Sequence, residues 1–156
     1  MIRIKKLEFA LVVLAAAACM VQVSCKTKFK AGNEQPSVET ICSNIREFGK
    51  THPDGFTIDI RDMSEPTEGI CVAYAATNGT HELTGLHTVV KHALDHDGYV
   101  GGWLNRRDGR YYYDSVKLFG EDEMDKALAF AVENGQEAIY VLSTGTEIQV
   151  KQAEAA

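Results

Sequence analysis

The sequence predicts an α+β domain, an antiparallel sheet with helices packed on one face, in the order α-ββα-ββα-ββ. Three observations predict it. Apolar residues recur at helical spacing in three windows of more than ten residues. Between those windows lie short runs with period-two alternation or β-prone composition. Asp108-Gly109 joins two of these runs, and an Asp-Gly pair between β-prone segments signals a hairpin, hence antiparallel pairing. The order strand, strand, helix then occurs twice, closing once at Asp97-Gly98 and once at Asn134-Gly135. Paired strands alternating with single helices favour a sheet covered on one side.

Each element has a local cause. Ser37 suits a helix N-cap, because its hydroxyl can accept from an otherwise free N–H of the first turn. Val38, Ile41, Cys42, Ile45 and Phe48 follow at helical spacing, and Gly49 is a C-terminal stop, so the first helix is expected over 38–48 with Cys42 toward the core. Residues 55–60 alternate apolar and polar. Residues 70–75 are apolar on both faces, as in a covered strand. The Cys71, Ala73 and Ala75 side is small enough for a helix to lie close, an arrangement that would bring Cys42 to Cys71.

A second helix is expected over 83–96, with Leu86, Val89, Val90, Ala93 and Leu94 as its stripe. Residues 99–104 and 110–119 form the two arms of the hairpin. A third helix over 121–134 buries Met124, Ala127, Leu128 and Ala131, and acidic residues crowd its first turn, where the helix dipole favours them. Residues 137–142 and 146–150 read as a last strand pair, followed by a flexible tail over 151–156. The folded domain is thus placed at 37–150.

The start of the chain reads as an address. Arg3, Lys5 and Lys6 precede an apolar run from Phe9 to Val23, and small residues lead to Cys25. That order is a secretory signal peptide over 1–24. The run is shorter than the ~20 residues needed to span hydrocarbon. The stretch before Cys25 resembles the lipobox of bacterial lipoproteins, with Gln22 where that motif usually carries Leu. The resemblance implies a lipid-modified Cys25, a 25–36 linker and a membrane-anchored envelope protein facing periplasm or cell surface. Ala16-Ala17-Ala18 before Cys19 offers an alternative cut, and plain secretion is a further alternative.

Charge narrows the partners. The chain carries −6, and residues 1–24 contribute +2, leaving about −8 for the rest. An acidic body argues against nucleic acid, which requires a basic face. If Cys25 is acylated, Cys42 and Cys71 remain as an even pair that an exported protein can bridge.

No catalytic residues, metal ligands or cofactor are assigned from the sequence. His92 and His96 sit four apart on the second helix, with His87 and Asp95 nearby, but the glutamate of an H-E-x-x-H pair is absent. This cluster motivates the alternative of a small secreted hydrolase or toxin; an inhibitor or immunity protein acting through an acidic surface is a third. The leading expectation is a binding module for an unknown protein or glycan. It rests on the aromatic hairpin, where Trp103, Tyr111 and Tyr113 are the expected contacts and Arg107 a charged rim. Alternation puts Tyr111, Tyr113 and Ser115 on one face, and Tyr112, Asp114 and Val116 on the other. Gly-Trp followed by Gly-x-Tyr-Tyr resembles one repeat of the choline-binding cell-wall modules; with one copy present, the ligand does not carry over.

A wider resemblance covers residues 53–142. Pro53-Asp54-Gly55-Phe56-Thr57, Val72-Ala73-Tyr74, Gly101-Gly102-Trp103, Tyr112-Tyr113-Asp114-Ser115 and Phe130-Ala131 with Asn134, Gln136, Ala138 and Ile139 carry it. The pattern is similar to a family of small uncharacterised proteins of gut Bacteroidetes and their mobile elements. It implies a source and no mechanism.

Overall fold

Six strands and three helices alternate along the chain in the expected order. The computed structural model describes residues 36–150; the signal peptide, Cys25, the linker as far as residue 35 and the 151–156 tail lie outside the described residues. The helices are α1 (Val38–Thr51), α2 (Glu82–Asp95) and α3 (Met124–Glu133). The strands are β1 (Gly55–Asp59), β2 (Ile70–Ala73), β3 (Tyr99–Asn105), β4 (Arg110–Phe119), β5 (Ala138–Val141) and β6 (Thr146–Gln149). All pair antiparallel in one sheet of order β1-β3-β4-β2-β5-β6.

The helices share one face of that sheet. Helices α1 and α2 cover Phe56, Ile58 and Val100, while α3 covers Ile70, Val72, Phe119 and Ile139. These strand residues fall on one side by register: Ile58 opposes Val100, Val100 opposes Ser115, and Phe119, an even number of residues on, opposes Ile70. None of the three helices lies on the opposite face. No helix of the described residues is long and apolar enough to cross a membrane.

Boundaries moved where tertiary contacts outweighed local signals. Ser37 caps α1 as expected, its Oγ accepting from the Thr40 N–H at 3.2 Å. The helix nevertheless continues past Gly49 to Thr51, because Phe48 packs on Phe56 and stacks on His52. Strand β2 stops at Ala73 and the chain turns into a short 3-10 segment over Ala75–Thr77. A 3-10 turn over Glu121–Glu123 likewise replaces the first turn of the third expected helix. Gly98, Gly109 and Gly135 all take φ between +62° and +78°, the left-handed backbone their turns require.

Cys42 and Cys71 are both buried free thiols, and they are not a pair. Helix α3 packs on the Ile70 and Val72 side of β2, so alternation turns Cys71 to the opposite face, where its Sγ meets Thr57 Oγ1 at 3.6 Å. Cys42 belongs to the helix-side core. The sheet itself separates the two sulfurs. The expectation that a helix rests on the small-residue side of β2 is therefore corrected: the large side faces the helix.

Candidate functional site

The β3–β4 hairpin distributes its aromatic residues to both faces. Trp103 opposes Tyr112 in the ladder, and Gly102 opposes Tyr113. Trp103 therefore points away from the helices, with Tyr112, while Tyr111 and Tyr113 point toward them. The expected grouping of Trp103 with Tyr111 and Tyr113 as one contact surface is corrected by this register. Arg107 stands in the exposed turn, its backbone N–H donating to Asn105 Oδ1 at 2.9 Å, and is not part of the cavity that the two tyrosines line.

That cavity, about 300 Å³, opens between α1, the start of α2 and β4. Tyr111 and Tyr113 form one wall, with ring centroids 5.4 Å apart. The Tyr111 hydroxyl donates to the His52 carbonyl at 3.0 Å, which ties the end of α1 to the hairpin. Burial pushes the Tyr111 phenol up to about 12 and raises that of Tyr113. Leu83, 48% exposed, supplies apolar surface at the mouth, and Leu86 is fully buried behind it. Arg46 from α1 and Arg110 from β4 bring positive charge, and Glu82 brings one carboxylate.

The start of α2 is held there by β4. After β2 ends, Tyr74 N–H still donates to the Ser115 carbonyl, the chain loops out, and Thr80 and His81 return to the same strand. Tyr113 N–H donates to the Thr80 carbonyl at 3.0 Å, and His81 bridges Tyr112. No side chain caps α2: His81 donates from Nδ1 to the Gly79 carbonyl at 3.0 Å. Its Nε2 then accepts from Arg110 Nη1 at 3.3 Å. Glu82 holds φ +64°, a left-handed backbone that costs a non-glycine residue roughly 1–2 kcal/mol.

Two other clusters frame this cavity. On the helix-free face Trp103, 44% exposed, stacks on Tyr112 at 5.1 Å and donates from Nε1 to Asp114 Oδ2 at 3.0 Å. Burial pushes the Asp114 carboxyl up to about 6, against that stabilising indole N–H. On the helix side, between α2 and α3, His92 and His96 stack at 3.8 Å, and Tyr74 packs against both rings and donates to Asp97. His92 Nδ1 bonds Ser115 Oγ at 3.0 Å, and burial followed by the neighbouring His96 charge lowers the His92 pKa. The Ser115 hydroxyl is wholly buried, so this serine–histidine contact faces no substrate. Among the described residues no three His, Cys, Asp or Glu side chains are placed to hold a metal ion.

No family model, curated protein or solved structure matches this chain. Sequence reasoning picked Tyr111 and Tyr113 and missed Arg46, His81, Glu82, Leu83 and Leu86 as their companions. Arg46 carried a weak signal, since it flanks the apolar stripe of α1 directly after Ile45. His81 and Glu82 carried none, because their position depends on the loop that returns to β4.

Proposed function

We propose that this chain is an exported, lipid-anchored envelope protein that works as a binding module, with its ligand in the cavity lined by Tyr111, Tyr113, Arg46 and Arg110. The signal-like residues 1–24 and Cys25 support the address. The resemblance to small Bacteroidetes proteins supports a bacterial source and adds nothing to the address. The cavity supports the role. Its walls combine apolar and aromatic surface with a few convergent polar groups, the usual make-up of a small-molecule site. Its volume is at the lower end of the ~300–1,000 Å³ typical of such sites. One observation carries the reading: the two tyrosines chosen for their place in the hairpin wall the same cavity that gathers two arginines.

A small hydrolase or toxin is less well supported, because the Ser115 hydroxyl beside His92 is sealed from solvent. Two measurements test the proposal. Intact-mass analysis of protein from its own host should show a chain beginning at an acylated Cys25. A Tyr111→Ala/Tyr113→Ala variant, checked by thermal melting to be folded, should lose capture of envelope components that the wild type retains. A full-length cytosolic chain would remove the address, and unchanged capture would remove the cavity from the binding role.

A further inference from the structure

We infer that the cavity takes a small organic anion, a carboxylate or phosphate group on a flat apolar body. This rests on the binding-module reading and gives it a ligand class. Arg46 and Arg110 line one cavity of an acidic chain, and among the described residues neither has a carboxylate within 4.0 Å. An anion in the cavity can take a charge-assisted hydrogen bond from Arg46 and from Arg110 at the rim, where His81 holds it.

The backbone adds to the same end. Helix α2 is 14 residues long, its first turn is uncapped, and its start lies in the cavity wall, so its free N–H groups and dipole favour negative charge there. His81 steadies one cation. With its Nδ1–H given to the Gly79 carbonyl, its Nε2 is left to accept from Arg110 and fix the guanidinium at the rim.

Glu82 and the walls set the size and charge of the ligand. Glu82 offsets one arginine, which leaves a net charge of +1 in the lining when His81 is neutral. That balance suits one anionic group and disfavours a polyanion. Tyr111, Tyr113 and Leu83 present flat and apolar surface to the rest of the molecule, and about 300 Å³ admits a single small ring system.

Isothermal titration of the full chain with benzoate, phenyl phosphate and neutral benzamide tests the inference, with the first two arms separating carboxylate from phosphate. One of the anions should bind at least about tenfold tighter than benzamide, and added salt should weaken it. Arg46→Gln/Arg110→Gln changes two exposed side chains outside the core, and its melting temperature serves as the folding control. It should lower anion affinity about a hundredfold, one order per arginine, and leave benzamide unchanged. Equal binding of benzamide, or undiminished anion binding by the double variant, overturns the inference. Failure of all three probes overturns it too. Envelope capture lost in the tyrosine variant but kept in the arginine variant would then leave the binding module standing without its anion.

Discussion

The two faces of the β3–β4 hairpin are built from the same residue types and do opposite things. On the helix side Tyr111 and Tyr113 pack with Phe56 and Phe48 and wall a cavity. On the other side Trp103 and Tyr112 stack on each other, tie their polar tips to Asp114 and Asp108, and Trp103 stays 44% exposed. The difference teaches that aromatic content does not locate a site. What decides is whether a second layer stands over the rings and brings charges of its own, as α1 and α2 do with Arg46 and Glu82.

Two adjacent glycines give the sharpest test. A methyl group on Gly102 would meet Phe56 Cζ at 2.6 Å and Tyr111 Cε1 at 2.9 Å, whereas on Gly101 its nearest neighbour is Val116 Cγ2 at 3.1 Å. Overpacking costs typically 1–3 kcal/mol. Gly102→Ala should therefore lower stability in urea by about 3 kcal/mol, and Gly101→Ala by about 1 kcal/mol or less. Equal costs would erase the distinction between the helix-covered and helix-free faces.

The buried polar seam under the helices comes next. Thr77 Oγ1 accepts from the Ser115 N–H at 3.0 Å, and both residues are fully buried. Thr77→Val keeps the shape and strands that N–H, at an expected cost of about 1–3 kcal/mol. A neutral result in chemical denaturation would mean that the seam does not hold β4 against the 75–77 turn.

Asp114 probes the helix-free face through pH. Its folded pKa, about 6, lies above its ordinary 3.8, so the folded state binds the proton more tightly. Its contribution is greatest below pH 4 and is lost as pH rises through 6, by at most about 3 kcal/mol. Asp114→Asn keeps an acceptor for the indole N–H and should remove this decline. Trp103 is the single tryptophan, so its fluorescence should titrate near pH 6 in the wild type and not in the variant. A wild-type transition near pH 4 would show Asp114 to be solvated.

The smallest effect concerns the thiols. Burial raises both Cys42 and Cys71 to about 11, so neither is an active thiolate at neutral pH. Reductant should leave the melting temperature unchanged, and alkylation should label both cysteines only after unfolding. A native disulfide mass would show that one thiol leaves its own side of the sheet.

Order and kind of element were legible because they are local. Helical spacing from Val38 to Phe48, alternation from Gly55 onward, Asp108-Gly109 and the closing Asp97-Gly98 and Asn134-Gly135 each act within a few residues. The division of the tyrosines was legible for the same reason, since the pleat fixes alternation wherever a strand forms. The extension of α1 past Gly49 was not, because Phe56 and His52 hold that turn from outside it.

The sequence alone determined which segments become helix or strand, and which side chains of a strand travel together. Only the tertiary structure decided which side of β2 the helix covers, and hence that Cys42 and Cys71 lie apart. It also decided that Thr80 and His81 return to β4, bringing Glu82 and the uncapped start of α2 beside Arg46 and Arg110. The physical reason is range. Backbone periodicity is set by neighbours a few residues away, while a cavity is set by which distant surfaces bury one another, and here Ile70 and Val72 exclude more water under α3 than Cys71 and Ala73 would.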